Sequence, residues 1–227
     1  MIVFANVRYC CPLWHDQPGV NFGVMGSKPV ERTAKSPALP RSPELMNRED
    51  SALLVVDAQE KLLALIPGHD RIVWNIRRLL DAAAALGVPI AGTEQYPDKL
   101  SSTVPVLKER IGRAPDKLAF SACVCGEIFE RWRADSIFRV LVCGIETHVC
   151  VMQTALDLVA AGFEPYVAVD AVVARYAIDH ETALRRMESA GVVLTTTEAA
   201  MFEWCRTAEA PEFKKISALA KEKPPRE

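Results

Sequence analysis

The sequence predicts an α/β protein, a three-layer α/β/α sandwich around a mainly parallel sheet of about six strands. Three observations point there. From Ser51 onward, apolar runs of strand length alternate with segments whose apolar residues recur at helical spacing. The strand candidates, such as "ALLVVD" and "FRVLVCGI", are apolar along their length and not at every second position, as strands covered on both faces are. Three joints, "AALGVPI", "AAGFEPY" and "SAGVVLT", place Gly87, Gly162 and Gly191 between a helix and a strand, where a left-handed residue stops the helix and turns the chain back to the sheet.

In chain order, the first strand is 52–57, ending in Asp57, followed by a helical region clearest at 71–87. A second strand, 88–95, leads through the polar loop "YPDKLSS" to a short helix at 103–112. "DKLAFSA" (116–122) reads as a short third strand or extended segment, and 126–135 as a helix. A strand at 138–145, a helix at 148–161, a strand at 164–172, a helix at 179–190 and a strand at 192–197 continue the alternation, and one or two helices close it. Ligands of such sheets bind beyond the carboxyl ends of the strands, where Asp57, Glu94, Glu146 and Asp170 fall.

Residues 1–45 hold six of the fifteen prolines and show neither a two-residue nor a 3.6-residue apolar period. They are expected to be a disordered extension, and Met46, just before "NREDSALLVVDAQ", makes a start-codon artefact a candidate explanation. The chain has 227 residues, 50% hydrophobic and 25% charged, with a net charge of −2. Its basic residues are scattered, which argues against nucleic acid or an anionic membrane surface as partner and for a small molecule. The apolar runs are far short of the ~20 residues of a membrane-spanning helix. Seven cysteines without a C-x-x-C pair argue against a disulfide framework and a structural zinc site and suggest a reducing compartment, with the cytoplasm as default.

The stretch "VLVCGIETHVCVMQTALDLVAAG" (140–162) carries the candidate chemistry. Cys150 should sit in the first turn of a helix, where exposed N–H groups and the helix dipole favour a thiolate. Cys143, in mid-strand, and Cys205 read as small buried hydrophobes. His148 is a poor partner for Cys150, because side chains two residues apart on a helix diverge by about 200°. It reads as a structural or pocket-rim residue. Asp57 and Asp170 both end strands and either could serve as the base. Lys117 could stabilise the anions, although a solvated lysine is the commoner state.

At these residues the sequence resembles the isochorismatase-like cysteine hydrolases, in particular the branch of the isochorismatase domain-containing proteins. The match lies in "LLVVDAQEKL", "TEQYPDKLSSTVPVL", "DKLAFSA", "GIETHVCVMQTALDL", "VAVDAV", "MESAGVVLTTTEAAMFEW" and "FKKI", essentially residues 50–220. On this resemblance, 46–208 is an isochorismatase-like hydrolase domain and 209–227 a C-terminal helix and tail. The resemblance implies a triad of Asp57, Lys117 and Cys150, which decides against Asp170. It further implies a cis peptide at Ile145–Glu146 and an oxyanion hole formed by the backbone amides of Glu146 and Cys150. The implied activity is that of a metal-independent cysteine hydrolase without cofactor, acting through a thioester on a small amide or related C–N or C–O bond. The zinc-binding nicotinamidases of the family carry an Asp-x-His loop after the second strand, and "TEQYPDKL" has no histidine. Gln59, Gln95, Tyr96, Phe120 and Thr147 are candidate pocket residues. Relatives commonly self-associate, so a homo-oligomer is expected. The alternatives are a weakly active scaffold member of the family and a Cys-His hydrolase using His148.

Overall fold

The computed structural model describes residues 39–225. Of the extension expected at 1–45, residues 1–38 lie outside the described residues. A six-stranded, wholly parallel sheet runs in the order β3-β2-β1-β4-β5-β6. The strands are β1 (Ser51–Val56), β2 (Ile90–Gln95), β3 (Asp116–Lys117), β4 (Arg139–Ile145), β5 (Glu164–Val173) and β6 (Val193–Thr195). The helices are α1 (Glu60–Leu63), α2 (His69–Leu86), α3 (Pro97–Leu100), α4 (Pro105–Ile111), α5 (Gly126–Ala134), α6 (Met152–Ala160), α7 (Ala177–Ser189), α8 (Thr197–Cys205) and α9 (Phe213–Ala220).

Successive side chains of a strand point to opposite faces, so the continuous apolar runs feed two cores. Leu53 and Val55 of β1 with Leu141, Cys143 and Ile145 of β4 pack beneath α2, α8 and α9, against Leu79, Leu80, Trp204 and Ile216. Ala52, Leu54, Val56, Val140 and Val142 face the other way, against Trp132 of α5, Leu158 of α6 and Met187 of α7. The three glycine joints all have positive φ, as expected.

Two segments differ from the sequence reading. The third strand is two residues long instead of seven, because after Lys117 the chain turns and presents the Ala119 and Phe120 carbonyls to the Lys117 ammonium. A short 3₁₀ turn follows at Ala122–Val124. The helix expected at 148–161 begins as a wider π-type turn, Thr147–Val151, before α6. At the amino-terminal side, Arg41 donates to the Glu203 carbonyl (2.8 Å), the Met46 amide to the Glu203 carboxylate (2.9 Å) and Arg139 to the Pro43 carbonyl (2.8 Å). Helix α9 docks on its own chain through Ile216 and Leu219.

Gly144 fixes how β4 passes β1. It lies where the β4–β5 register shifts, at φ 121°, and a Cβ there would meet the Val56 carbonyl oxygen at 2.0 Å. Glycine is the residue that fits this approach. Gly144→Ala should lower stability by about 3 kcal/mol or more, seen as a fall in the urea midpoint. Gly126→Ala, at a site where nothing lies within 4 Å, is the control and should change it by less than about 1 kcal/mol. An unchanged midpoint for Gly144→Ala would refute the close-approach account.

Candidate active site

The strand order places four carboxyl ends side by side: β3 brings Lys117, β2 brings Thr93 and Gln95, β1 leads into Asp57, and β4 leads into the turn carrying Cys150. Asp57 follows β1 in the left-handed region, at φ 51°. Its amide donates to the Thr93 carbonyl (3.1 Å) and its carbonyl accepts from the Gln59 amide (2.7 Å). This non-glycine residue is held in a sparsely populated conformation by the bonds on either side of it. The carboxylate is completely buried: one oxygen accepts from the Thr93 hydroxyl at 2.8 Å and the other from Lys117 Nζ at 2.7 Å.

The Lys117 side chain has no exposure. Its ammonium also donates to Gln95 Oε1 (2.6 Å), the Phe120 carbonyl (2.8 Å) and, at longer range, the Ala119 carbonyl (3.2 Å). A buried cation is tolerable when protein oxygens replace its water, and here three neutral oxygens and one carboxylate do so.

Cys150 is 5% exposed and lies in the π-type turn. The amides of Val149 and Val151 both return to the Glu146 carbonyl, at 3.1 and 3.3 Å. The Ile145–Glu146 peptide is cis. Thr154 ties the helix to the segment after Lys117: its hydroxyl donates to the Cys150 carbonyl (2.6 Å) and accepts from the Ala122 amide (2.8 Å).

Burial and the neighbouring charges shift two of these groups, Asp57 and Cys150. Burial pushes the Asp57 carboxyl above its ordinary range, opposed by the Lys117 charge and by hydrogen bonds from Lys117, Cys150 and Thr93. Burial first, and then the Asp57 carboxylate, push the Cys150 thiol up to about 12, with Lys117 pulling the other way. Desolvation and the neighbouring carboxylate act against the thiolate that a helix terminus is expected to favour. The resting arrangement is an ion pair beside a neutral thiol, with an acceptor for the thiol proton already in place.

The remaining expected residues divide. Gln95 meets Lys117 through its side-chain carbonyl oxygen, and its side-chain amide donates to the Leu118 carbonyl (2.8 Å). Phe120 meets Lys117 through its backbone carbonyl, and its side chain is exposed. Gln59 is buried and bonded to backbone, donating to the Gln95 and Ser101 carbonyls and accepting from the Gln95 amide. Tyr96 is 44% exposed. Thr147 is buried with its hydroxyl 2.9 Å from His180 Nδ1. His148 lies near Asp179, with Nε2 3.9 Å from the carboxylate. Asp170 caps α8, accepting from the Thr197 amide (2.7 Å) and hydroxyl (3.0 Å). The Cys143 thiol is wholly buried and lies 3.7 Å from the Leu54 carbonyl. Thr93 and His180 escaped the sequence reading. For Thr93 the signal was there: a hydroxyl at the end of β2, in register with Val56 and so beside Asp57.

Among the described residues, no group of three or more His, Cys, Asp or Glu side chains is arranged to hold a metal ion. At the loop where family members bind zinc, Glu94 accepts from the Thr103 amide (2.7 Å) and lies 3.7 Å from Lys108, which is not a zinc-binding donor set.

Residues 51–199 match the isochorismatase domain model. The chain is 40% identical over 179 residues to isochorismatase domain-containing protein 2A of Mus musculus, covering 78% of this chain and 85% of that one. It superposes with a TM-score of 0.74 on the structure described as MAR1 ribonuclease from Caenorhabditis elegans, at 39% identity, covering 80% of this chain and 95% of that one. A TM-score of 0.71 and 26% identity relate it to the YcaC gene product of Escherichia coli, described as an octameric hydrolase of unknown specificity, over 79% of this chain and 91% of that one.

Two outcomes test the electrostatics. With the thiol held near 12, alkylation of Cys150 by iodoacetamide should rise about tenfold per pH unit from 7 to 10, where an ordinary thiol levels off near 8.5. A plateau by pH 8, read by peptide mass spectrometry, would show an activated thiolate instead. Lys117→Met strands the Asp57 carboxylate without a counter-charge and should cost about 3–5 kcal/mol at pH 7. Removing Lys117 raises the carboxyl further, and a raised folded-state value disfavours the fold as pH climbs above the unfolded value. The penalty in urea unfolding should therefore be smaller at pH 5 than at pH 7.

Proposed function

The chain belongs to the isochorismatase family, and from that premise we propose that it is a metal-independent cysteine hydrolase acting on a small amide or related C–N or C–O substrate. The observation that carries the reading is the buried Lys117–Asp57 pair set against the Cys150 thiol. In the proposed reaction, Asp57 takes the thiol proton as the sulfur attacks the carbonyl carbon. The new C–S bond forms, the C–N or C–O bond breaks, and the leaving group recovers the proton from Asp57. Water, giving its proton to the same carboxylate, then cleaves the thioester and restores the thiol. The oxyanion is received by the backbone amides of Glu146 and Cys150.

The raised Asp57 carboxyl suits this role. Moving a proton from a thiol near 12 to an ordinary carboxylate is uphill by on the order of 10 kcal/mol, and each unit by which burial raises the acceptor removes about 1.4 kcal/mol. Lys117 steadies the negative charge wherever it resides. Gln95, Tyr96 and Phe120 are proposed to border the substrate and Gln59 to support Gln95, whereas Thr147, expected in the pocket, is wholly buried with its hydroxyl at His180 and is not proposed to touch substrate. Self-association, as described for the E. coli protein, and a cytoplasmic location belong to the same proposal. RNA is disfavoured as substrate by the net charge of −2 and the dispersed basic residues.

A panel of small amides, hydroxamates and vinyl ethers, with an RNA oligonucleotide alongside, tests the reading. Turnover of one small-molecule class should fall about a thousandfold or more in Cys150→Ala, with a thioester adduct trapped by acid quench in the wild type. Turnover that survives in Cys150→Ala would refute the thiol chemistry. Cleavage confined to the RNA would refute the substrate class, and no turnover at all would favour the scaffold alternative.

A further inference from the structure

Three successive residues at the start of the nucleophile turn each face one segment, 175–180, that enters α7, and two of them are within hydrogen-bond distance of it. The Glu146 carboxylate accepts from the Arg175 amide (3.0 Å) and from Arg175 Nε (3.1 Å). The Thr147 hydroxyl lies 2.9 Å from His180 Nδ1, and His148 Nε2 lies 3.9 Å from Asp179. The turn needs such support. It opens without a side-chain cap of its own, it is wider than an α-helix, and the Glu146 carbonyl already receives two amides. Of the three links, Thr147–His180 is the most shielded: Thr147 is wholly buried, and burial holds His180 below the ordinary histidine value, with Glu181 opposing. The Arg175 side chain, by contrast, is 45% exposed, where an ion pair contributes little.

We infer that segment 175–180 is a clasp that sets the orientation of the turn carrying Cys150, and that His180 is a positioning residue acting through the Thr147 hydroxyl. The inference rests on Cys150 as the nucleophile. It assigns to α7 a part in the reaction that neither the triad nor the amide pair contains. The clasp holds the backbone amides that meet a developing oxyanion, so its loss should slow acylation of Cys150 without slowing a displacement reaction that needs no oxyanion hole.

The test uses the full chain and two probes, p-nitrophenyl acetate for acylation and iodoacetamide for alkylation, with the Cys150 peptide followed by mass spectrometry. His180→Leu should lower the ratio of acylation to alkylation about tenfold, the loss expected for one buried hydrogen bond, and raise amide hydrogen exchange across 146–151 by a similar factor. His180→Asn, which keeps a polar atom near the Nδ1 position, should recover most of both. Thr147→Val removes the other end of the link at constant volume and should reproduce His180→Leu, which covers the case in which that variant fails to fold. A ratio and an exchange rate both within twofold of wild type in either folded variant would overturn the clasp. If Cys150 of the wild type accepts neither probe, the nucleophile reading fails by itself, and the exchange measurement still decides the clasp.

Discussion

The site is organised around a charged amine removed from water. Lys117 has no exposed side-chain surface, and the chain around it is arranged to supply oxygen atoms: one from Asp57, one from Gln95, two from the backbone of 119–120. Each supplier constrains a larger element. Gln95 is fixed by Gln59 at the end of β2, Asp57 by Thr93 across the β1–β2 pair, and the two carbonyls by the chain's departure from the sheet after only two residues of β3. Removing one partner of such a pair strands a charge, whereas the intact set is tolerated because every donor is met.

That arrangement also governs the thiol. A cysteine at a helix start is usually discussed in terms of the helix dipole, which favours the anion. Here the loss of solvent and then the carboxylate next to it favour the proton. The ammonium opposes this push only in part, because it is shared with the carboxylate and with neutral oxygens. In the proposed reaction, proton departure is therefore coupled to bond formation, in place of a standing population of sulfur anion.

Much of the architecture was legible in the sequence because it depends on local signals. Fully apolar strands announced a sheet buried on both sides, and Gly87, Gly162 and Gly191 announced the returns from helix to strand. Asp57 and Cys150 were legible as strand-end and helix-start residues. Lys117 was not: its burial depends on Gln95 and on two carbonyls whose direction no side-chain pattern encodes. "DKLAF" reads as strand by composition, yet the chain leaves the sheet after Lys117, since tertiary demand overrides propensity over so short a run. The contact between Thr147 and His180 spans 33 positions, and the expected pocket residue Gln59 proved to be bonded to backbone; both follow from the fold and from no spacing along the chain.

The inverted segment after β3 has a consequence of its own. By turning its carbonyls inward it turns Leu118 and Phe120 outward, to 73% and 52% exposure. Every residue has the same carbonyl, so the amine's coordination is indifferent to which side chains occupy those positions. Replacement there can remodel the surface without touching the charge balance beneath it, so the outer face of this segment is free to vary while the buried ion pair is kept.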